Sequence, residues 1–365
     1  MNAPEYFLLH AYSSHNSGDG LLVKLSLKAI RAAGVTRTVT VVCLDKASFA
    51  GYLDDPNIRL ISLGEFLRSR VCHVFSRRRT VYFGVGGGYL RASSKSEGWK
   101  SLIAHGSQIF MSSLGGPGRR IYFPQSVGPF DTRPGKVLAS LVRRHVERIF
   151  LRDDKSVLEL AHPGATRTGD LVVLEIARDV MAGTLRRPVA VAVAPQVYLV
   201  FRDLQGKPYR DAYLERIRAL MALLPDAKLA VQARGRGNSD DVFYREHLGA
   251  DNAVLLKDVL AEGNAIVVSV RLHGSLESIL AGVPSVHLAY ERKGRAAFAD
   301  LGLDDFAFHA SDFDPQAVAD AVRSIALDEE QYWTRVESRA QRSHQLFVEA
   351  IKHELREFDH ADHGR

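Results

Sequence analysis

Short apolar runs alternate with longer amphipathic runs along almost the whole chain, and this alternation limits the fold more than any other feature. In the first half, apolar runs of strand length occur at residues 6–10, 38–44, 58–61, 80–83, 120–123 and 148–151. Helical spacing predicts helices at 20–33, 99–112, 135–146 and 154–160. Because parallel strands need helical crossovers, the pattern predicts βα units and a parallel sheet.

The pattern is interrupted near residues 181–188, where Gly183 and Pro188 punctuate a loss of periodicity, and it then restarts. Strands are predicted at 189–194, 228–232, 253–256, 265–270 and 285–288, and helices at 209–224, 274–282, 292–301, 315–325 and 328–357. A chain of 365 residues exceeds the usual size of one core. We therefore predict an α/β fold with two Rossmann-like domains facing a central cleft: an N-terminal domain over 1–184, a second over 185–335, and a C-terminal helix and tail over 336–365.

Composition indicates the class of protein and the compartment in which it works. A hydrophobic content of 46% and a charged content of 25% are ordinary for a soluble globular protein. There are two cysteines, and Cys43 lies in an apolar run, which favours a reducing compartment. The amino terminus lacks the basic region and the long apolar run of a signal peptide, and no later segment approaches a spanning length. We expect a cytoplasmic protein, with the inner face of a membrane as an alternative location.

The net charge is +6, and arginines cluster locally at 77–79, 119–120 and 143–144. Such clusters are typical of solvated faces. Nucleic acid is a poor candidate partner, because aromatic residues are not interleaved with the basic ones. A phosphorylated substrate or peripheral association with an anionic membrane stays open.

The motif Arg271-Leu272-His273 stands where the predicted strand 265–270 ends and the helix 274–282 begins. In open parallel sheets this edge binds ligands, and helix-start N–H groups favour anions. Arginine can hold a carboxylate or phosphate through two hydrogen bonds, and histidine can pass a proton near neutral pH. A lone histidine at a helix start more often makes a structural hydrogen bond. The adjacent arginine and the later basic run 290–293 favour a functional site instead.

Other predicted strands also end in loops suited to ligands. The candidate residues are Asn16 and Asp19, the run Gly86, Gly87 and Gly88, the pair Gln125 and Ser126, and Arg152. Several of these residues have a purely structural alternative: helix capping for Asp19, a tight turn for the glycines, and a rigid connection for Gln125 and Ser126. No set of residues in the sequence has the spacing of zinc ligands, so no metal site is predicted. The sequence also lacks a dinucleotide-binding fingerprint and a nucleophile elbow.

Taken together, these motifs resemble the polysaccharide pyruvyl transferase family over about residues 16–301. The resemblance rests on Asn16-x-Gly18-Asp19, Gly86-Gly87-Gly88, Gln125-Ser126-Val127-Gly128-Pro129-Phe130, Arg152-Asp153, Gly169-Asp170, Arg271-Leu272-His273, Ala281-Gly282-Val283-Pro284 and Tyr290-x-x-Lys293. It implies a two-domain fold like that of the GT-B glycosyltransferases. The C-terminal helix would then pack back on the first domain, with a role in a dimer as the alternative.

The resemblance also implies a reaction. The enolpyruvyl group of phosphoenolpyruvate would be attached as a ketal across two hydroxyls of a sugar, releasing phosphate without a cofactor, in the synthesis of a cell-surface polysaccharide or glycolipid. His273 would be the general acid, Arg271 and Arg152 would hold the donor's anionic groups, and Lys293 would contact its phosphate. Asn16, Asp19 and the loops 86–88 and 125–126 would face the sugar acceptor, which would be lipid-linked or nucleotide-linked.

Two rival functions stay open at this point. One is a GT-B-type glycosyltransferase with a nucleotide-sugar donor, since fold does not fix function. The other is a catalytically silent sugar-binding homologue, against which the intact Arg271-Leu272-His273 argues. The chain departs from the family at Gly20, where a further acidic residue is common, and in the basic turn 233–236. Both departures leave the acceptor open, and the sequence does not determine the oligomeric state.

Overall fold

The computed structural model describes residues 4–72, 78–185, 194–234, 239–339 and 342–360. It contains two compact units. The first comprises Met1–Ser14, Asp19–Leu171 and Ser343–Arg365, and the second comprises His15–Gly18 and Val172–Arg342. The chain divides after Leu171, ahead of the boundary predicted at residue 184.

The described residues of the first unit form a parallel sheet of seven strands in the order β3-β2-β1-β4-β5-β6-β7. The strands are β1 (Glu5–Ala11), β2 (Val39–Cys43), β3 (Ile58–Ser62), β4 (Thr80–Gly84), β5 (Gly118–Gln125), β6 (Arg148–Leu151) and β7 (Ala165–Arg167). The helices that precede or connect them are α1 (Ser17–Ala32), α2 (Leu63–Cys72), α3 (Lys95–Ser101), α4 (Ser107–Ser112), α5 (Arg133–His145) and α6 (Asp154–Leu160). A π-helical turn over Leu102–Gly106 joins α3 to α4.

The second unit follows the same plan. Its described residues form a parallel sheet of six strands in the order β10-β9-β8-β11-β12-β13. The strands are β8 (Gln196–Val200), β9 (Lys228–Val231), β10 (Val254–Leu255), β11 (Ala265–Ser269), β12 (Ser285–Ala289) and β13 (Ala307–His309). The helices are α7 (Leu171–Met181), α8 (Arg210–Leu223), α9 (Asp240–Phe243), α10 (Leu256–Glu262), α11 (Leu272–Leu280), α12 (Arg292–Asp300), α13 (Pro315–Leu327) and α14 (Glu329–Arg339). A last helix, α15 (Ser343–His360), belongs to the first unit.

The predicted α/β fold with two Rossmann-like domains is confirmed. The β-branched run of β11 is buried along its whole length, as expected of a strand covered on both faces. The predicted strand at 189–194 falls mainly on residues outside the described ranges, and the strand seen nearby is β8. The single helix predicted over 328–357 is wrong, because the structure has α14 and α15 there.

Helix α15 packs against the sheet of the first unit, in agreement with the expectation for the C-terminal helix. The ring of Phe347 meets those of Phe123 and Phe150 edge to face, with centroids 5.5 and 4.8 Å apart. Further along the helix, the buried carboxylate of Glu354 pairs with Arg119 and, at 3.0 Å, with Arg148. An aromatic contact and a shared ion pair therefore fix this helix to β5 and β6.

Replacing Phe347 by Ala should lower the free energy of unfolding by about 3 to 5 kcal/mol, because it removes a buried aromatic side chain and leaves a cavity. The neighbouring Leu346 is 69% exposed, so Leu346→Ala should change that free energy by less than about 0.5 kcal/mol. Urea unfolding of both variants, followed by circular dichroism, measures the difference. Equal effects of the two substitutions would contradict the packing of α15.

Candidate functional site

The Arg-Leu-His motif forms the turn between β11 and α11. Arg271 precedes the helix with extended backbone angles, φ −90° and ψ 118°. The hydroxyl of Ser269 accepts the N–H of Arg271 at 3.1 Å and donates to its carbonyl at 2.9 Å, which fixes the turn. The helix ends at Leu280, and Gly282 with φ +79° follows, so the sequence supplies the stop signal that left-handed glycine gives. His273 therefore lies in the first turn of α11, at the carboxyl edge of the sheet.

The guanidinium of Arg271 is bound to Asp240, the first residue of α9. Its Nε and Nη2 atoms lie 3.0 and 2.5 Å from Oδ1 of Asp240, and both residues are buried. The other carboxylate oxygen accepts the backbone N–H groups of Gln232 and Ala233 at 3.0 and 2.9 Å. This ion pair ties the turn after β11 to the turn after β9. The predicted contact of Arg271 with a donor anion stays a prediction, since two of its nitrogens face a protein carboxylate.

The ring of His273 packs directly against the backbone of Gly18. A Cβ atom at Gly18 would lie 2.6 Å from Nδ1 of His273 and 2.7 Å from its Cγ. The segment around Gly18 is placed by Asn16, whose backbone bridges to Ala233 and whose Oδ1 accepts the N–H of Gly18 at 3.3 Å. Asn16, predicted to face the acceptor, thus belongs to the same unit as His273, whereas Asp19 belongs to the first unit.

A carboxyl group that sequence reasoning missed completes this cluster. Glu277 lies one turn after His273 on α11, and its oxygens accept from the hydroxyl of Ser17 at 3.1 and 3.2 Å. The amide nitrogen of Gln232 lies 3.4 Å from the same carboxylate and 3.3 Å from the Ser17 hydroxyl. Burial raises the pKa of Glu277 to about 7, against the opposing effect of these two hydrogen bonds. The sequence feature that could have indicated Glu277 is its spacing of four residues from His273, which places both on one face of a helix.

Cationic side chains stand at the ends of two further strands of this sheet. Arg202 follows β8, and its Nη1 donates to the hydroxyl of Tyr290 at 3.1 Å. Lys207 lies over the same ring, 5.9 Å from its centroid. Lys293, in the first turn of α12, pairs with Glu291 at 2.7 Å. Arg202 was not singled out in the sequence, because nothing in its neighbours predicted that β8 would end there.

In the first unit, the predicted residue Gln125 is completely buried at the end of β5. Its amide donates to the carbonyl of Val85 at 2.6 Å and to the hydroxyl of Tyr89. Gly87 pairs with Gln125 across the same loop. Gln125 therefore holds the glycine-rich loop in place, and its NH₂ group is directed at the protein. The sequence could not show this depth, since residues at a strand end can be buried or exposed.

Ser126 and Arg152 come together beside the last residue of the glycine run. Arg152 is buried, pairs with Asp170, and donates from Nε to the hydroxyl of Ser126 at 2.9 Å. That hydroxyl in turn donates to Asp153 at 2.7 Å, and Asp153 also caps α6. A Cβ atom at Gly88 would lie 3.4 Å from Nη2 of Arg152. Arg152, predicted to bind the donor together with Arg271, lies in the first unit, whereas His273 lies in the second.

Gly86 has a structural reason to lack a side chain. A Cβ atom there would approach Leu171 to 2.6 Å and the carbonyl of Pro124 to 3.1 Å.

A separate cavity of about 740 Å³ opens at the amino ends of β1 to β3, and none of the predicted site residues lines it. None of the helices in the described residues has the length and apolar character of a membrane span.

The model of the polysaccharide pyruvyl transferase family matches residues 16–292. No curated protein matches the sequence at a significant level. Among solved structures, S. aureus MnaA in a co-structure with UDP is similar, with 13% identity, a TM-score of 0.53, and 97% of each chain covered. Anabaena HepE in complex with UDP is similar with 12% identity and a TM-score of 0.51, over 98% of this chain and 100% of the other. At such identities the two structures establish the fold.

Replacing Asp240 by Ala should destabilise the second unit by about 3 kcal/mol or more, because it leaves Arg271 buried without its carboxylate. The adjacent Asp241 makes a longer, partly exposed pair with Arg234 at 3.5 Å and accepts the backbone N–H of Val242 at 3.0 Å. Asp241→Ala should therefore cost about 0.5 kcal/mol or less. Thermal and urea unfolding of both variants measures the contrast, and a stable Asp240→Ala protein would contradict the proposed role of the ion pair.

Proposed function

The chain belongs to the polysaccharide pyruvyl transferase family, and we propose that it uses phosphoenolpyruvate to form a pyruvate ketal across two hydroxyls of a sugar. The proposal places the reaction in the cytoplasm, in the synthesis of a cell-surface polysaccharide or glycolipid. The observation that carries it is the position of His273, which lies in the first turn of α11 at the carboxyl edge of the second sheet, where Arg202 and Lys293 follow the neighbouring strands β8 and β12. These features suit a donor that carries both a carboxylate and a phosphate.

The chemistry explains why a histidine is needed. The enol phosphate of phosphoenolpyruvate does not react with a hydroxyl until its methylene carbon is protonated, and protonation makes the adjacent carbon an electrophile that a sugar hydroxyl attacks. A second hydroxyl then replaces phosphate at the same carbon. Imidazole is the side chain most often used to donate such a proton near neutral pH. His273 is the general acid in this proposal, and the reaction invokes no cofactor.

The donor's negative charges need partners at the same edge of the sheet. Arg202 and Lys293 follow β8 and β12, and the first N–H groups of α11 point to the same edge. We assign the donor's anionic groups to these residues. Arg271 supports them by fixing the turn, because part of its guanidinium is bound to Asp240.

We assign the acceptor to the carboxyl-edge loops of the first unit. The polar groups there are Asp19 and the cluster of Ser126, Arg152 and Asp170 beside Gly88. Arginine and carboxylate side chains suit hydroxyl groups and, in a lipid-linked or nucleotide-linked sugar, a phosphate. Because the two similar structures were solved with UDP, UDP-sugars are tested both as acceptors and as donors.

Replacing His273 by Gln should lower kcat by about 100-fold or more while leaving the fold intact, because it removes the acid without opening a cavity. His353 is an exposed histidine on α15, and His353→Gln is the matched control. The assay incubates phosphoenolpyruvate with UDP-sugars and lipid-linked sugars, and measures phosphate release together with the mass of the ketal product.

Ketal formation that depends on His273 supports the proposal. Sugar transfer from a UDP-sugar without phosphoenolpyruvate would identify a glycosyltransferase instead. Full activity of His273→Gln would exclude this residue as the acid.

Replacing Gly18 by Ala should lower kcat by about 10-fold to 100-fold, because the new methyl group displaces the ring of His273, and small misplacements of a catalytic group are costly. Gly64 lies on α2 with no heavy atom within 4 Å of the Cβ position, so Gly64→Ala should leave kcat unchanged. Steady-state kinetics with both variants tests the contact. Equal rates in the two variants would show that the ring of His273 is not held by Gly18.

A further inference from the structure

Three large apolar side chains are exposed along the helical segment between β4 and β5. Trp99 of α3 is 57% exposed, Ile103 of the π-helical turn is 66% exposed, and Phe110 of α4 is 47% exposed. They follow one another at intervals of four and seven residues, which is the spacing of a single helix face. Large apolar side chains that are grouped on a surface, unlike single ones, mark an interaction site.

The neighbouring helix α5 extends this exposed face. Ile109 of α4 and Leu138 of α5 lie in one core cluster, so both helical segments cover the same face of the first sheet. A Cβ atom at Gly98 would lie 2.9 Å from Cγ of Pro134, so this glycine lets α3 approach the start of α5 closely. Val137, on the solvent side of α5, is also exposed. The outer sides of α3, α4 and α5 therefore form one surface, which we call the α3–α5 surface.

The α3–α5 surface lies in the part of the chain that carries its excess positive charge. Of the 48 Lys and Arg and the 42 Asp and Glu of the chain, residues 91–145 contain 9 and 2, which leaves 39 and 40 elsewhere. Glu97, one of the two acidic residues, pairs with Arg91 at 2.7 Å. Six of the nine cations are exposed on α3 and α5, and none of the six forms an ion pair within the described residues: Lys95, Lys100, Arg133, Lys136, Arg143 and Arg144.

An anionic lipid surface accounts for both the charge and the exposed apolar side chains. Anionic headgroups attract clustered lysines and arginines, and tryptophan, phenylalanine and isoleucine side chains enter the boundary between headgroups and acyl chains. Nucleic acid would use the positive charge and leave aliphatic side chains such as Ile103 and Val137 without a role. A second copy of the chain, seated on the same surface, would bring like charges together.

We propose that the α3–α5 surface docks on an anionic lipid membrane. Both α3 and α5 begin at the carboxyl edge of the first sheet, after the loops that follow β4 and β5. The two loops are joined by backbone hydrogen bonds from Gly128 to Leu90 at 2.9 Å and from Ala92 to Pro129 at 3.0 Å. The docked surface is thus continuous with the loops assigned above to the acceptor. Together with the pyruvyl transfer proposed above, on which this last step rests, docking identifies the acceptor as a lipid-linked sugar.

Binding of the full chain to lipid vesicles tests the docking without any turnover. The protein is sedimented with vesicles of phosphatidylcholine alone and with vesicles that also contain phosphatidylglycerol. We expect binding to the anionic vesicles to be at least about tenfold stronger than binding to the neutral ones, because the cations contribute only when the lipid is charged. Raising the salt concentration to about 0.5 M should weaken the binding, since salt screens exposed charges.

Two double variants separate the apolar and the charged contributions. Trp99→Ala combined with Ile103→Ala removes the apolar contact, and Lys136→Glu combined with Arg144→Glu reverses two charges. Each double variant should weaken binding to the anionic vesicles by about tenfold or more. Their melting temperatures should match that of the wild type, because all four side chains are exposed.

Matched control variants carry the same changes outside the α3–α5 surface. Leu327 and Leu346 are exposed apolar residues on α13 and α15, and Leu327→Ala combined with Leu346→Ala is the apolar control. Arg245 and Lys257 are exposed in the second unit, and Arg245→Glu combined with Lys257→Glu changes the net charge by the same amount as the charged double variant. Both controls should bind the anionic vesicles within about threefold of the wild type, since charges away from the contact are screened.

Loss of vesicle binding in the two surface variants, with both controls unaffected, supports the docking. Wild-type protein that does not bind anionic vesicles, or surface variants that bind them as the wild type does, would overturn it. Ketal formation by a protein that binds no vesicle would overturn the docking and leave pyruvyl transfer standing. Vesicle binding by a protein that forms no ketal with any acceptor would support the docking and refute pyruvyl transfer. Ketal formation on soluble UDP-sugars alone would overturn the assignment of a lipid-linked acceptor.

Discussion

The buried ion pair between Arg271 and Asp240 is the interaction on which the second unit's site depends. Two charges are stable at this depth only when their remaining hydrogen-bonding capacity is also used. Asp240 meets that condition by accepting two backbone N–H groups from the turn after β9, while Arg271 begins α11. One pair of charges thereby fixes two neighbouring strand ends. Gln232 and His273 take their positions from these two turns, and Glu277 is held through Gln232.

A buried ion pair at a strand end also organises the first unit. Arg152 follows β6 and is buried against Asp170, and its Nε binds the hydroxyl that Asp153 also uses. In both units an arginine at a strand end looks, in the sequence, like a ligand contact. In the folded chain each one is paired with an internal carboxylate and sets the shape of a loop. In the second unit, the side chains that Arg271 places, rather than Arg271 itself, are then the better candidates for contact with substrate.

The sequence predicted the strands before residue 152 closely, because each is a short apolar run followed by a helix with clear spacing. It missed β7 and β13, which have three residues each, too few for a period to appear. It joined α14 and α15 because both are amphipathic and no Pro or Gly separates them. The Arg-Leu-His turn was located correctly at the end of β11, since a β-branched run and a helical pattern meet there.

The sequence by itself determined the α/β class, the positions of most strands, and the motifs at their carboxyl ends, because these depend on local periodicity and on short-range turn chemistry. Only the tertiary structure decided which of these polar residues are buried and what they bind. It brought Gly18, Gln232 and His273 together from distant parts of the chain, buried Gln125, and paired Arg271 with Asp240. The physical reason is that burial and long-range pairing depend on how sheets and helices stack, which no local pattern of residues records.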